Sequence, residues 1–263
     1  MLPFSTEHPG KYAGPFRQYW KVNVSHLHRI RILSVLVTIL LVVAGCGSED
    51  SAGIDEDMPV SEILENSSQR LADTESVAFR MQVDGTTYID SARTLRLLNA
   101  RGTMARPDRV DVEFQIEVAG APQVSIRIIT IGQEAWTTDI VTGRWVEAQE
   151  EFGYDPSVLY DNQNGLGPVM GRIINPELVG IEEIDGRQTY HIRGMATEEI
   201  IGPLTGGTMR GSEIEVNVWI DGETWNLMRV TVAEPTDEGI ENPATWTLGL
   251  GDHDEQVTIE RPV

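Results

Sequence analysis

Few side chains in this 263-residue sequence could carry out bond-making chemistry. Cys46 is the single cysteine, and His191 and His253 are the only histidines that follow it. His191 stands between Tyr190 and Ile192 in a strand-like stretch, which is more typical of a structural histidine than of a general base. His253 lies in the stretch Asp-His-Asp-Glu, which could bind a divalent cation but is more typical of a solvated turn. We therefore expect no catalytic residue, no metal site and no cofactor.

The common catalytic motifs are missing as well. One cysteine cannot form a disulfide framework or a CxxC zinc site. The sequence contains neither the HExxH pattern of zinc proteases nor the GxSxG turn of serine hydrolases, and no lysine follows residue 21 to complete a P-loop. A pair of catalytic carboxylates, as in glycosidases, would leave no recognisable spacing in the sequence. A hydrolase is therefore the last of the alternatives, and we predict that the protein is not an enzyme.

Charge is distributed unevenly along the chain. The whole sequence has 20 Lys and Arg against 41 Asp and Glu, and its first 45 residues contain five of the basic residues and one of the acids. The rest of the chain therefore has 15 basic and 40 acidic residues. Nucleic-acid binding depends on Lys and Arg that displace counterions from phosphates. The acidic composition argues against a nucleic-acid partner, and the first 45 residues form a separate segment.

The residues before Cys46 have the features of a secretion signal. An apolar run of 12 residues, from Ile32 to Val43, follows Arg29 and Arg31 and precedes Ala, Gly and Cys46. It is shorter than the roughly 20 residues of a membrane-spanning helix and has the length and basic flank of a signal-peptide core. Small residues before a lone cysteine resemble the lipobox of bacterial lipoproteins. The resemblance implies that residues 1–45 are a removed signal peptide and that Cys46 carries a diacylglyceryl group. The alternative is an uncleaved short anchor with a buried thiol.

The lipobox interpretation predicts where the protein works. A lipidated Cys46 would hold it at the cell membrane, on the extracytoplasmic face, through lipid rather than through a spanning helix. Residues 46–59 are small, polar and acidic, which is typical of a flexible tether. The acids of this tether lack the ligand spacing of a calcium loop.

Residues 60–263 are predicted to form one domain that begins with a helix and continues in strands. One helical face is formed by Val60, Ile63, Leu64, Ser67 and Leu71. Asp57 or Ser61 could cap this helix. After Ser76 the apolar period changes to two, most clearly in Arg109–Val118 and Glu213–Asp221, which indicates antiparallel strands with one solvated face.

About a dozen strands follow one another with short turns between most of them, which predicts a large antiparallel meander. A sheet this wide must curl or close. The other strand candidates are Val77–Tyr88, Thr94–Ala105, Gln123–Ile131, Glu134–Asp139, Trp145–Glu147, Leu178–Ile184, Gln188–Gly194, Leu227–Glu234, Thr245–Leu250 and Gln256–Ile259.

Three apolar segments interrupt the strands and are expected to cover the apolar face of the sheet. A first helix is predicted to begin at Asp155-Pro156, a second runs from Leu166 until Asn175-Pro176 stops it, and the glycine-rich segment Ile200–Gly211 looks irregular. A curved sheet rich in Val and Ile leaves space beneath short helices, and dry apolar space accepts apolar ligands. Each candidate lining residue could equally be a plain core residue. The candidates are Leu166, Val169, Met170, Ile173, Ile200, Ile201, Leu204 and Met209.

A series of weak motifs, in order along the chain, resembles the LppX/LprAFG family of bacterial envelope lipoproteins, whose fold is close to that of the carrier LolA. The resemblance covers about Ile63 to Pro262. Its motifs are Arg101-Gly102, Arg106-Pro107-Asp108, Gly143-Arg144-Trp145, Asp155–Leu159, Asn164-Gly165-Leu166, Val179-Gly180, Asp185–Gly194, Trp219-Ile220-Asp221 and Val257–Pro262.

The resemblance implies an α+β fold, in which a large curved antiparallel sheet, a half-barrel, carries helices on its concave face around an apolar cavity. It also implies that the partner is an acyl lipid or lipoglycan, carried across the cell envelope with a possible transporter as a further partner. The mature chain departs from the family pattern in having no lysine and a very acidic composition. This argues against docking on anionic headgroups of the kind that a basic surface would allow. Two alternatives are an envelope sensor of the same fold, which signals to a membrane regulator, and a structural surface lipoprotein without ligand.

Overall fold

The alternation of apolar and polar residues produces eleven strands and three helices in the computed structural model, which describes residues 54–88, 93–118, 123–148, 158–159, 161, 163–236 and 241–263. The helices are α1 (Val60–Asp73), α2 (Leu166–Met170) and α3 (Glu198–Thr205). The strands are β1 (Ser76–Asp84), β2 (Leu95–Ala105), β3 (Arg109–Val118), β4 (Val124–Ile131), β5 (Glu134–Thr138), β6 (Trp145–Glu147), β7 (Ile174–Ile184), β8 (Arg187–Ala196), β9 (Ile214–Asp221), β10 (Leu227–Ala233) and β11 (Thr245–Gly251).

All eleven strands belong to one open antiparallel sheet, in the order β6-β5-β4-β3-β2-β1-β11-β10-β9-β8-β7. The first strand pairs with the last, Phe79 opposite Leu250, in the middle of the sheet. Strands β1 to β6 therefore run outward to one edge, and β7 to β11 return from the other edge to the centre. The predicted antiparallel sheet with helices is confirmed, but it consists of two meanders joined at β1 and β11 rather than of one.

The two faces of the sheet follow the period-two pattern. In β3, Val110, Val112, Phe114 and Ile116 are buried on the inner face. On the outer face, Arg101 of β2 donates a hydrogen bond to Glu113 of β3 at 2.8 Å. All the described elements lie within one compact unit, Asp50–Val263. A chain of residues 47–263 therefore contains the whole sheet, its helices and its core.

Strand β7 begins earlier than predicted. The structure extends it from Leu178 back to Ile174, so that Asn175 and Pro176 lie inside a strand and do not end a helix. Proline is tolerated there because β7 is an edge strand, where an N–H facing outward has no strand to bond. Two irregularities in its register with β8 further disrupt this edge, which limits pairing with other chains.

The predicted last strand, Gln256–Ile259, is wrong. Among the described residues, no strand is formed after Gly251. The segment instead lies on the outer face of the half of the sheet formed by β1 to β6. Ile259 is buried there against Ala105 and Ile129, and its carbonyl oxygen accepts a hydrogen bond from Arg109 at 2.6 Å. Strand β11 is already paired on one side with β1 and on the other with β10, so the segment that follows it cannot pair with β11. Apolar alternation alone therefore does not make this segment a strand.

The helices also differ from the prediction in detail. The predicted stripe of α1 is buried at Ile63, Leu64, Ser67 and Leu71, but neither Asp57 nor Ser61 caps the helix, which begins after Pro59 without a side-chain cap. The second helix ends at Met170 instead of continuing to Ile174. Of the segment Ile200–Gly211, which was expected to be irregular, the part up to Thr205 belongs to α3, and the glycine-rich remainder is irregular.

Two predicted features lie wholly or partly outside the described residues. The predicted helix start at Asp155-Pro156 lies outside the described residues. Of the segment that follows it, Val158 and Leu159 are described and form a short turn of 3-10 helix. The signal segment, Cys46 and the first half of the tether also lie outside them.

The end of the predicted tether lies against the domain. The Tyr190 hydroxyl donates a hydrogen bond to the backbone oxygen of Asp55 at 3.1 Å. Ile54 packs over Gly222, where an added Cβ would lie 2.3 Å from the Ile54 side chain. A tether free of the domain is therefore shorter than residues 46–59.

Candidate functional site

The inner face of the sheet carries a continuous apolar row. The strand register joins one residue from each of nine neighbouring strands, and all nine are apolar. From β7 to β4 the row reads Leu178, Ile192, Val218, Val230, Leu248, Met81, Ala100, Phe114 and Ile126. Such a surface must be covered by apolar groups to be stable in water.

A β-bulge in β10 adds to this face. The register of β10 against β9 shifts by one residue between Leu227 and Arg229. Leu227 and Val230 would point to opposite faces in a regular strand, because side chains alternate with a period of two. The extra residue brings both onto the inner face, where they line the same cavity.

A narrow cavity of about 80 Å³ separates the middle of the sheet from the helices. Side chains of six neighbouring strands, from β3 to β9 in the order of the sheet, line this one space. The sheet contributes Phe79, Met81, Ala100, Val112, Phe114, Val216, Val218, Leu227, Val230, Val232, Trp246 and Leu248. The helix side contributes Leu159, Leu166, Val169, Met170, Ile173, Ile201, Leu204 and Thr205.

Six of the eight candidate lining residues border this cavity, namely Leu166, Val169, Met170, Ile173, Ile201 and Leu204. Ile200 is half-buried beside the core, and Met209 is fully buried within it, but neither lines the cavity. Contact with a ligand stays a prediction for all eight. The sheet residues were not named from the sequence, although their alternation signals an inner face. Only the pairing of β1 with β11 shows which strands meet beneath the helices.

The lining is almost wholly apolar. None of the lining residues is charged, and Thr205, the hydroxyl-bearing one, donates its hydrogen bond to the backbone oxygen of Ile201 at 3.3 Å. The space therefore offers water few partners, whereas an ordered buried water usually makes about three hydrogen bonds. An apolar group is the kind of occupant that this lining stabilises.

Two glycines allow the helix layer to approach its neighbours closely. An added Cβ on Gly194 of β8 would lie 2.3 Å from Cγ2 of Ile173, which follows α2. An added Cβ on Gly167 of α2 would lie 3.3 Å from Oγ of Ser68 in α1. The position of α2 thus depends on the absence of a side chain at Gly167 in α2 itself and at Gly194 in the sheet beside it.

A surface groove of about 570 Å³ lies beside the cavity, between α1 and α2. It is lined partly by polar residues of α1, among them Glu65 and Gln69. Leu159, Met170 and Ile173 line both the groove and the cavity, so the side chains of these three residues lie between the two spaces.

His191 and His253, the two histidines in the described part of the chain, do not line the cavity. His191 is on the outer face, with Nδ1 2.8 Å from Glu182 and Nε2 2.8 Å from Asn217, and its ring stacks on Trp219. Hydrogen bonds from Trp219 and then from His191 lower the pKa of Glu182. Burial lowers the pKa of His253. Among the described residues, no group of three or more His, Cys, Asp or Glu side chains could hold a metal ion.

Comparison with known proteins identifies relatives in mycobacteria. The lipoprotein LprA of Mycobacterium tuberculosis is 22% identical over 251 residues, which cover 88% of this chain and 95% of LprA. LprF of Mycobacterium bovis, named as a candidate diacylated glycolipid transporter, is 32% identical over 68 residues, or 26% of each chain. In the described part of this chain, no helix is long and apolar enough to cross a membrane.

Two solved structures share the fold. The crystal structure of LprF from Mycobacterium bovis has a TM-score of 0.61 and 22% identity, covering 77% of this chain and 96% of LprF. The crystal structure of LppX from Mycobacterium tuberculosis has a TM-score of 0.54 and 16% identity, covering 76% of this chain and 98% of LppX. The profile of the LppX_LprAFG lipoproteins matches residues 60–259, a span that includes all eleven strands of the sheet and all three helices. On this match, the protein belongs to the LppX_LprAFG family of lipoproteins.

Proposed function

We propose that this protein is a membrane-anchored carrier that takes the acyl chains of a lipid or lipoglycan between its sheet and its helices and moves them across the cell envelope. The observation that carries the proposal is the apolar row across nine strands, six residues of which line a cavity without a charged lining residue. The name of LprF as a candidate glycolipid transporter supports the same ligand class.

The cavity must enlarge to take a long acyl chain. Its volume of about 80 Å³ is smaller than the engineered apolar cavity of about 150 Å³ that holds benzene. Helices α2 and α3 are the elements suited to move, because α2 has five residues and α3 contains Pro203. Helices this short are marginal by themselves and depend on packing. Each methylene that enters the opened space contributes roughly 0.8 kcal/mol.

The anchor is the second part of the proposal. Cys46 would be lipidated and would hold the domain at the extracytoplasmic face of the cell membrane. Since Ile54 already packs on the domain, eight residues of extended chain limit its distance from Cys46 to about 29 Å. A Cys46→Ser substitution in the full chain should release the protein from the membrane fraction. A mature N-terminus at Cys46 that bears no diacylglyceryl group would contradict this proposal.

The ligand is tested with residues 47–263, which lack the anchor. Lipid should copurify with this domain in a fixed ratio, as measured by native mass spectrometry and by solvent extraction. Leu204→Trp should lower the lipid occupancy at least severalfold, because Leu204 lines the cavity on the helix side. The matched control is Val146→Trp, since Val146 is an exposed residue of the edge strand β6.

The outcomes separate the proposed carrier from its alternatives. A folded domain that holds no lipid and takes up none of the lipids offered to it would favour a structural surface protein. Full occupancy in Leu204→Trp would remove that residue from the binding site. Movement of bound lipid to acceptor vesicles distinguishes a carrier, which transfers its ligand, from a sensor, which retains it.

A further inference from the structure

Trp246 brings a polar group, its indole N–H, into the otherwise apolar lining of the cavity. It lies on β11, lines the cavity and is 8% exposed. Its cross-strand neighbours are Val83 on β1 and Val232 on β10, neither of which offers a side-chain acceptor. The buried indole Nε1–H donates a hydrogen bond to no acceptor in the described part of the chain.

The outer face shows how the same residue type is ordinarily treated. Trp219 on β9 is buried to a similar degree, and its Nε1–H donates to Oε2 of Glu182 at 2.8 Å. Buried tryptophan N–H groups usually find such a partner, and an orphaned donor destabilises the folded state. Phenylalanine would fill the space at position 246 without this penalty, so the N–H of Trp246 calls for an acceptor that the described residues do not supply.

The lining restricts what that acceptor can be. An ordered water needs two to four polar partners, and the hydroxyl of Thr205 is already bonded to Ile201. A carboxylate would lose its hydration without gaining a cation, because no charged residue lines the cavity. A neutral carbonyl oxygen on a largely apolar molecule satisfies the donor and keeps the remaining contacts apolar.

We propose that Trp246 is the specificity-determining donor of this cavity and that the ligand is an ester-linked acyl lipid whose carbonyl oxygen accepts a hydrogen bond from Nε1. This inference rests on the proposed function and deepens it, since it separates acyl esters from ether-linked lipids and hydrocarbons. An ether oxygen is a weaker acceptor, and a hydrocarbon has none, so both leave the indole donor unpaired inside the complex.

The experiment compares two lipids that differ in this one feature. Residues 47–263 are titrated with dioctanoyl phosphatidylcholine and with its dioctyl ether analogue, and the dissociation constants are measured by native mass spectrometry. The ester should bind about tenfold more tightly, as expected for one net hydrogen bond from a buried donor. In Trp246→Phe the ratio should fall to about one, whereas Trp219→Phe should keep it.

Each other outcome overturns the inference in a recognisable way. Equal binding of both lipids by the unsubstituted domain, or an ester preference that survives in Trp246→Phe, removes Trp246 from the recognition of the ligand. Binding of neither lipid overturns the proposed function and this inference together. A second readout does not depend on how the variant folds: the Trp246 indole N–H resonance should move downfield with the ester and not with the ether, and an unchanged resonance contradicts the proposal.

Discussion

Gly194 shows how strongly a single missing side chain shapes the helix layer. It lies on the inner face of β8, opposite Val216 of β9, and an added Cβ would lie 2.3 Å from Cγ2 of Ile173, which is closer than two carbon atoms can pack. Gly194→Ala would also bring the new methyl within 2.9 Å of the backbone oxygen of Ile174. We expect this variant to lower the free energy of unfolding by about 1–3 kcal/mol, the usual range for overpacking.

The matched control for this prediction is Gly249→Ala in β11. An added Cβ there meets one atom within 4 Å, the backbone oxygen of Arg80 at 3.9 Å. Glycine inside a strand costs roughly 0.5–1 kcal/mol relative to alanine, so this change should not destabilise the protein. Urea unfolding of both variants is the measurement, and equal losses of stability would show that the space at Gly194 has no special role.

At the scale of an element, the segment after β11 is bound to the end of α1 and to the residue before β1. The Asp254 carboxylate pairs with Arg70 at the end of α1, at 2.5 Å, and accepts a hydrogen bond from the backbone N–H of Glu75 at 2.8 Å. The hydrogen bond from Arg70 lowers the pKa of Asp254. Its contribution to stability is therefore present at neutral pH and is lost only as the pH falls through the lowered pKa, below the ordinary value of about 4.

His253 should make the same segment sensitive to pH at milder acidity. Burial lowers its pKa, as do the charges of Arg70 and Arg187, while Asp254 and a hydrogen bond at the Leu227 backbone oppose the shift. Below about pH 6.5 the unfolded chain binds a proton that the folded chain does not, so stability falls as the pH falls towards the lowered pKa.

The measurement for this prediction is the urea midpoint at pH 7.5 and at pH 5.5. The unsubstituted domain should lose more stability over this interval than His253→Asn, which cannot titrate. An identical loss in both proteins would mean that His253 contributes nothing to the pH dependence.

Across the whole molecule, like charges repel one another. The chain after residue 45 has 40 acidic and 15 basic residues. A net charge far from zero destabilises the compact state, and salt screens the repulsion between exposed charges. Exposed ion pairs such as Arg101–Glu113 lose little on screening, because each contributes about 0–1 kcal/mol.

Sodium chloride should therefore raise the melting temperature of the domain. A rise of a few degrees between low salt and about 0.5 M is the expected result, since roughly 1 kcal/mol of relieved repulsion corresponds to about 2–4 °C for a domain of this size. A melting temperature that falls over this range would mean that the attractive ion pairs outweigh the repulsion.

The sequence by itself determined the parts of this protein that depend on local pattern. Period-two alternation placed most strands, as in Arg109–Val118, because each strand must bury one face. Helical spacing placed the buried face of α1. The motifs along the chain were enough to identify the family that the comparisons show. The lipid-modified Cys46 stays a prediction, since it lies outside the described residues.

Only the tertiary structure decided which strands meet and what they enclose. The pairing of β1 with β11 joins residues about 170 positions apart, and no local pattern specifies such a contact. The register shift in β10 and the close approach of Ile173 to Gly194 likewise depend on neighbours distant in sequence. The N–H of Trp246, which has no acceptor among the described residues, is recognised as unpaired only in this context, because its surroundings are formed by strands distant in sequence.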